Sequence, residues 1–436
     1  MFRLRYWLDI VNEYLENNRG IRPNDLMTRR PRRGAAQAIH RAALMLLWAV
    51  GTAGVPLAAK AGGVLTPYAA EDIEHNTNIF DLPKSGGAPV GKNGSTFADT
   101  FFDTRAGVEG TYLLDEQKFF GTGEFRHFND DNFTALNHNE ELFDGGLKWK
   151  LLRTVDGLFE YRHEQRSVQF QDLASSTQLT LETENNVTAS VNVNATPEWR
   201  VESLVRDHVL NSPRIDVPGL SVHEDSIREG LKYLGVANLA AGVEAEYLSG
   251  KYNHDPLALD PNYHQITAAF AATYVISGLT DFTGNLGYSR RTDPSNAGLS
   301  GLTGSLAYRR SMTAKTSVNV QVSRALNTYV TTGGNEIDTS AAATVNFQAT
   351  YKILVRAGYS YTDSKFPGTP NGAAATIERA DHLQFATLDL TYQVLHWLSI
   401  RPYARYQARH SNIEGFTFDG NIIGVELLAK QFRPNR

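Results

Sequence analysis

The 436-residue chain lacks cysteine altogether, which excludes disulfide bonds, thiolate metal sites and a lipid anchor on an N-terminal cysteine. Long apolar runs are also scarce. The hydrophobic fraction is 42 %, and the only run that approaches the length of a transmembrane helix is residues 42–59. A bundle of membrane helices is therefore excluded by the composition.

An excess of basic residues is missing as well. Ten of the 42 Lys/Arg and four of the 47 Asp/Glu lie in the first 61 residues, so the rest carries 32 basic and 43 acidic residues, a net charge of −11. This mildly acidic balance gives no support to nucleic acid as a partner.

The apolar run near the N-terminus predicts a secretory signal peptide over residues 27–61. Four arginines between positions 29 and 33 precede the run, and Ala59-Lys60-Ala61 fits a small-x-small cleavage site. A membrane anchor is the alternative, but glycine and proline between positions 51 and 56 interrupt the run. We expect cleavage near Ala61 and delivery to the outer membrane. Residues 1–26 are interpreted as an upstream extension from a mis-assigned start.

Over the rest of the chain, apolar and polar residues alternate with a period of two. Between residues 344 and 351 the apolar positions are Val345, Phe347, Ala349 and Tyr351. The same pattern recurs over residues 387–393 and 400–409, and such a period places the apolar set on one face of a strand. Over residues 62–436 it predicts an all-β, transmembrane, antiparallel up-and-down β-barrel that is apolar toward lipid and polar toward a lumen.

The connections between these strands alternate between eight short and nine long ones, which predicts 18 strands with short periplasmic turns and long extracellular loops. Sixteen strands are the alternative, because the segments around Thr180 and Val222 alternate poorly. A soluble propeller would need blade repeats, and none are found. Aromatic residues near the strand ends fit interfacial girdles. They are Tyr112, Phe119, Phe120, Trp149, Trp199, Tyr247, Tyr274, Tyr288, Tyr308, Tyr351 and Trp397.

Four segments carry a family resemblance: residues 67–80 (PYAAEDIEHNTNIF), 101–112 (FFDTRAGVEGTY), 119–133 (FFGTGEFRHFNDDNF) and 147–150 (LKWK). They resemble the first four strands of the β-barrel porin 2 family, and in particular the EpsL-type outer-membrane proteins encoded with exopolysaccharide operons. The resemblance implies an outer-membrane channel for secreted polysaccharide. It also implies polysaccharide, outer-membrane lipid, and periplasmic and inner-membrane synthesis and export proteins as partners.

Motifs for catalysis are absent: the sequence has no Walker loop, no HExxH and no GxSxG. We therefore expect no enzymatic activity, no cofactor and no metal. The histidines fall in or near the predicted loops and are interpreted as ordinary solvated side chains.

Charged residues on the predicted lumen phase are the candidate site. Arginines repeat every four residues on one strand, about 13 Å apart, a spacing that suits weak, repeated binding of glycan hydroxyls and carboxylates. The candidate glycan contacts are Lys148, Lys150, Arg356, Arg401, Tyr403, Arg405 and Arg409. The acids on the same phase are Glu160, Glu244, Glu246, Asp281, Asp389 and Glu426. The alternative is that these charges pair across strands and only fill the lumen.

The function predicted from these features is passive export of an exopolysaccharide chain from periplasm to cell surface. Two alternatives stay open at this point. The first is a general or solute-uptake porin, which would carry a constriction loop folded into the lumen. The second is a non-conducting structural barrel plugged by side chains.

Overall fold

The computed structural model describes residues 63–172, 176–213, 221–252, 262–292, 298–329, 334–367, 378–413 and 415–431. The predicted extension (1–26) and signal peptide (27–61) lie outside the described residues. No helix in the described part of the chain has the length and apolar character needed to cross a bilayer.

Strands make up nearly all of the described structure. Their bounds are β1 Gly63–Asn76, β2 Val90–Gly91, β3 Gly94–Ser95, β4 Asp99–Leu114, β5 Gln117–Asp130, β6 His138–Leu151, β7 Val155–Ser167, β8 Leu181–Asn194, β9 Trp199–Asn211, β10 Val222–Val236, β11 Leu239–Tyr252, β12 Asn262–Ser277, β13 Thr280–Thr292, β14 Leu299–Ser311, β15 Thr316–Tyr329, β16 Gly334–Thr350, β17 Ile353–Phe366, β18 Arg379–Leu395, β19 Leu398–Ser411 and β20 Phe418–Lys430. Two single 3₁₀ turns, Thr134–Leu136 and Phe170–Asp172, lie in loops.

The sheet closes on itself. Every long strand pairs antiparallel with its neighbours along the chain, and β1 pairs with both β4 and β20, so 18 strands form one ring. The predicted 18-stranded antiparallel barrel is therefore confirmed, and the alternative of 16 strands is wrong. The weakly alternating segments form β8 and β10, each with a complete ladder on both sides. The short strands β2 and β3 form a separate hairpin in the loop that follows β1.

The loop lengths divide the barrel into two ends. At the inner end, connections of two to four residues join the strands, and Asp115, Leu152 and Asn238 adopt positive φ angles of 53°, 61° and 67° in such turns. At the outer end the connections are mostly longer, as predicted. Outer-membrane barrels place the short turns on the periplasmic side.

The two faces of the wall differ in chemistry. Apolar side chains point outward and stay exposed, for example Val243 (60 %), Phe270 (55 %) and Leu388 (55 %). The other face carries polar contacts that reach over an intervening strand, such as Tyr68 on β1 to Glu124 on β5, 2.6 Å. Side chains converge only on the concave side of a cylinder, so this face is the lumen wall.

On most strands the apolar residues of the outward face start near the inner end. A polar residue on the same face ends this apolar stretch before the strand reaches its outer end. The set comprises His127, Glu141, His163, Asn185, Asp207, Asp225, Ser249, His264, Arg290, Ser300, Arg324, Thr339, Asp363, Gln384, His410 and Asn421. We call this set the outer polar ring. It marks the outer boundary of the apolar band, which on each strand covers about nine residues, the length a tilted strand needs to cross a bilayer.

Aromatic rings gather at the inner boundary of that band. Trp199 and Tyr233 lie 5.0 Å apart, and Phe282 and Tyr308 lie 4.8 Å apart, between ring centroids. Phe120 departs from the predicted girdle, because it lies on the lumen wall beneath the ammonium group of Lys148, 5.7 Å from its ring centroid.

Candidate functional site

The arginines predicted to line the lumen on β19 do face it, and each has an acidic partner. Arg401 Nη2 lies 3.0 Å from Glu426 Oε2, and Arg405 Nη1 lies 3.6 Å from Glu74 Oε2. Their side chains are 27 % and 34 % exposed. These two guanidinium groups therefore border the lumen as halves of ion pairs, as the charge-pairing alternative requires.

Glu426 belongs to a longer ladder of alternating charge across β20, β4, β5 and β6. Arg105 bonds to the Glu426 carboxylate and lies 3.4 Å from Asp103, and Asp103 accepts a 2.6 Å bond from Arg126. Arg126 continues to Glu140 at 3.4 Å. Because a buried charge without a partner is costly, this ladder holds the wall together as a unit.

Tyr403 is buried rather than available to a solute, with an exposure of 5 %. Its hydroxyl lies 2.9 Å from Asp72 Oδ1 and 2.7 Å from Glu74 Oε2, both on β1. The Arg405 guanidinium stacks on its ring at 4.4 Å. The prediction that Tyr403 contacts a glycan does not fit this position, because its hydroxyl is already hydrogen-bonded to the two carboxylates and joins β19 to β1.

Arg409 is likewise buried, with its side chain 5 % exposed. It bonds to the backbone oxygen of Gln171, lies 3.6 Å from Asp381 Oδ2, and sits 5.6 Å from the ring centroid of Phe418. Gln171 belongs to the loop after β7, so Arg409 anchors a loop and is shielded from a passing solute.

The other predicted cations also lie on the lumen wall. Lys148 is exposed and is the register partner of the exposed Lys118, so two lysines occupy neighbouring lumen positions near the inner end. Lys150 pairs with Glu116 at 3.2 Å. Arg356 donates to Asn346 Oδ1 at 3.1 Å.

The six predicted acids all face the lumen, in two groups. Glu426 pairs as described, Glu246 pairs with Arg228 at 3.1 Å, and Glu244 accepts from Asn285 at 3.2 Å. For the remaining three no ion pair is found among the described residues. They are Glu160, Asp281 and Asp389. The lumen therefore presents exposed lysines and half-buried acids on a background of neutralised pairs.

A folded cover lies at the outer mouth. Phe80, from the loop after β1, is 2 % exposed and meets the ring of Phe133 at 4.7 Å and that of Phe170 at 4.9 Å. Further apolar side chains complete this group, which we call the mouth cluster. They are Leu136, Ile79, Leu82 and Leu179. Phe133 comes from the loop after β5 and Phe170 from the loop after β7, so three loops share one small core.

The mouth cluster is anchored to the lumen face of β19. Asp81 accepts a 2.6 Å bond from Gln407 on the lumen face of β19, and Gln171 binds Arg409 on the same strand. In the ring β7 and β19 are six strands apart, a third of the circumference of 18. The described parts of these loops therefore cross inside the mouth rather than standing above the rim. Residues 173–175 of the loop after β7 and residues 368–377 of the loop after β17 lie outside the described residues.

The lumen also holds His208, and the interpretation of this histidine as an ordinary solvated side chain is wrong, because it lies between two carboxylates. His208 Nε2 lies 3.2 Å from Glu184 Oε1, and its Nδ1 lies 3.3 Å from Glu224 Oε2. Glu224 also accepts a 2.5 Å bond from the hydroxyl of the fully buried Tyr263. This chain of contacts links β8, β9, β10 and β12. Its residues occupy the lumen-facing positions of the period-two pattern, so the sequence alone could have placed them on the lumen wall.

Seven histidines lie on the outward face at or next to the outer polar ring, within strands rather than in loops: His75, His127, His163, His223, His264, His382 and His410. Among the described residues, one group could hold a metal ion, because ligand atoms of Asp207, His223 and Asp225 lie within 4.8 Å of one another. The 2.8 Å hydrogen bond between His223 and Asp207 accounts for this arrangement without a metal.

Comparison with known proteins gives a partial family match. The family model described as "Putative beta-barrel porin 2" matches residues 273–431, a little over a third of the chain. No curated protein matches. The likeness to EpsL-type proteins drawn from residues 67–150 lies outside the matched segment and stays a prediction.

Several solved outer-membrane barrels are similar at low identity. OccK2 (OpdF) of Pseudomonas aeruginosa is 10 % identical, covering 85 % of this chain and 98 % of its own, with a TM-score of 0.46. OccAB3 of Acinetobacter baumannii is 9 % identical, with 85 % and 100 % covered and a TM-score of 0.45. The siderophore receptor PirA of P. aeruginosa is 12 % identical, with 84 % and 80 % covered and a TM-score of 0.42. These scores are low, so the fold assignment stands on the strand ladders of this chain.

Proposed function

We propose that this porin-like barrel is a passive outer-membrane channel that admits small polar solutes. The observation that carries the proposal is the mouth cluster, which folds three loops together and fixes them to the lumen face of β19. A barrel of 18 strands encloses an aqueous channel. Loops that cross inside the mouth narrow its entrance.

The charge pattern of the wall supports the same function. Arg401 and Arg405 are held by Glu426 and Glu74, so they lack the free charge that would retain an acidic polymer. Conduction needs contacts that are weak enough for the solute to leave. The exposed Lys148 and the half-buried Asp389, groups of opposite sign, supply weak contacts and leave the channel with a modest preference rather than a strict one.

Export of exopolysaccharide is the second candidate function. The resemblance of residues 67–150 to proteins of exopolysaccharide operons favours it. In that case the polymer, periplasmic and inner-membrane synthesis proteins would be partners. The mouth cluster argues against this candidate, because a polymer would have to pass loops that are folded inside the mouth.

The deciding experiment is reconstitution of the folded barrel into planar bilayers and liposomes. We expect stepwise ion conductance, and swelling in small sugars that ceases above a size limit. Absence of both conductance and swelling would instead indicate the structural barrel. A parallel gene deletion tests export: we expect unchanged surface polysaccharide, and a loss of secretion with periplasmic accumulation would reject the uptake proposal in favour of export.

A further inference from the structure

An apolar groove of about 700 Å³ indents the outward surface over β12 to β17. Its walls include Phe270, Leu286 and Leu302, which are 55 %, 65 % and 62 % exposed. Its floor is low because small residues, among them Gly284 and Ala341, occupy outward positions between these larger side chains. A depression this size lies within the band that faces lipid.

The groove lies where two strands separate. Pairing between β14 and β15 runs from Ser311↔Ser317 to Gly304↔Arg324 and ends there, although both strands continue toward the outer end. We call the line of pairing between β14 and β15 the seam, and Arg324 lies at its outer end. Its Nε donates to the Leu302 oxygen at 3.1 Å, and its Nη1 donates to Thr339 Oγ1 at 2.8 Å. Gly304 at the fork has a φ of 157° and lies against the Asn285 oxygen, where a Cβ would be only 2.4 Å away.

The exposed guanidinium of Arg324 stands at the outer end of the groove, on the outer polar ring where the apolar run of β15 stops. Two more outward cations lie at this level, Arg290 on β13 and Lys365 on β17. One acid, Asp363, lines the groove and is engaged by His382 at 3.0 Å and Lys365 at 3.8 Å. Three fixed cations against one acid leave this end of the groove positive.

We propose that this groove binds a phosphorylated lipid of the outer leaflet, with acyl chains against Phe270, Leu286 and Leu302 and a phosphate on Arg324. The apolar walls match acyl chains, and the cations match a phosphate at the depth where a headgroup lies. Arginine suits this role because its planar guanidinium forms two parallel bonds with phosphate oxygens. Lipid binding in this groove does not depend on which solute passes through the lumen.

The test measures binding of lipid A, which carries two phosphates, and of dephosphorylated lipid A to the full-length folded barrel in detergent by native mass spectrometry. We expect the wild-type protein to bind lipid A about tenfold more tightly than the dephosphorylated form, and Arg324→Gln to remove that difference. Arg310→Gln is the matched control, since Arg310 is an outward cation at the opposite end of β14 and should not change binding.

Two further variants separate binding from the structural role of Arg324 at the seam. Arg324→Lys keeps a cation but loses the fork, so it should retain most of the preference for lipid A if charge recognition is the cause. Ala341→Trp fills the groove without changing charge and should weaken both lipids. Equal binding of lipid A by wild type and Arg324→Gln would overturn the proposal. So would a sedimentation experiment in which Ala341→Trp dissociates an oligomer, because the groove would then be an interface between copies.

Discussion

The substitution Phe80→Ala tests whether the mouth cluster limits what enters the barrel. Phe80 is 2 % exposed and provides the ring that meets both Phe133 and Phe170. Truncating a buried phenylalanine to alanine costs about 3–5 kcal/mol. Each 1.4 kcal/mol is a factor of about ten, so the equilibrium between the folded cover and an open loop should shift by about two to three and a half orders of magnitude.

The assay is single-channel conductance in planar bilayers, together with liposome swelling in sugars of increasing size. Phe80→Ala should conduct more and admit larger sugars, while the heat-denaturation temperature of the barrel stays unchanged because no strand ladder is touched. Val90→Ala is the matched control, since Val90 lies in the same loop but is 80 % exposed. The reasoning fails if protease sensitivity shows that the loop after β1 has opened while conductance and size limit remain those of the wild type.

Three further predictions concern charges. The double change Lys118→Glu and Lys148→Glu should shift the reversal potential in a KCl gradient toward cation selectivity, because two exposed lumen cations become anions. Arg105→Leu should lower the denaturation temperature through a loss of about 1–3 kcal/mol, since Glu426 and Asp103 each lose one of two guanidinium partners and keep only Arg401 and Arg126. Glu229→Leu should raise it, by about 1 kcal/mol, because Glu229 faces lipid with only a 2.7 Å bond from Ser203.

Each of these predictions has a specific control. Arg310→Glu makes one such charge reversal on the outward face, half the charge change of the double variant, so a shift in reversal potential half as large would show that lumen position is not the cause. Arg228→Leu breaks an exposed pair with Glu246 and should cost less than about 1 kcal/mol. Ser203→Ala leaves Glu229 without its bond and should be destabilising, the opposite sign to Glu229→Leu.

The sequence predicted the barrel because the bilayer imposes a simple rule on every strand. Val345 and Phe347 face lipid while Asn346 faces water, and this contrast repeats with a period of two. The strand number followed from turn lengths, since tight connections such as residues 152–154 and 237–238 stand out against long loops. These features are local, so a single sequence contains them.

The pairing of the lumen charges was not predictable, because it depends on which strands become neighbours when the ring closes. Arg105 and Glu426 are 321 positions apart and meet across β1. Arg409 carried the same alternation signal as Arg401 and Arg405, yet it is buried because a loop that starts at β7 reaches it. Periodicity assigns a face to a side chain, but it does not reveal what covers that face.

The arrangement of cover and paired charges bears on the choice between uptake and export. An acidic polymer could bind Arg401 and Arg405 only by displacing Glu426 and Glu74, and each displacement weakens an ion pair of the wall. A small solute needs neither step, since it passes the exposed groups and leaves the pairs intact. If export were the function, the mouth cluster would obstruct the substrate, and Phe80→Ala cells should secrete at least as much polysaccharide as the parent. If uptake is the function, the same variant should change solute size selection alone, because no polymer crosses the barrel.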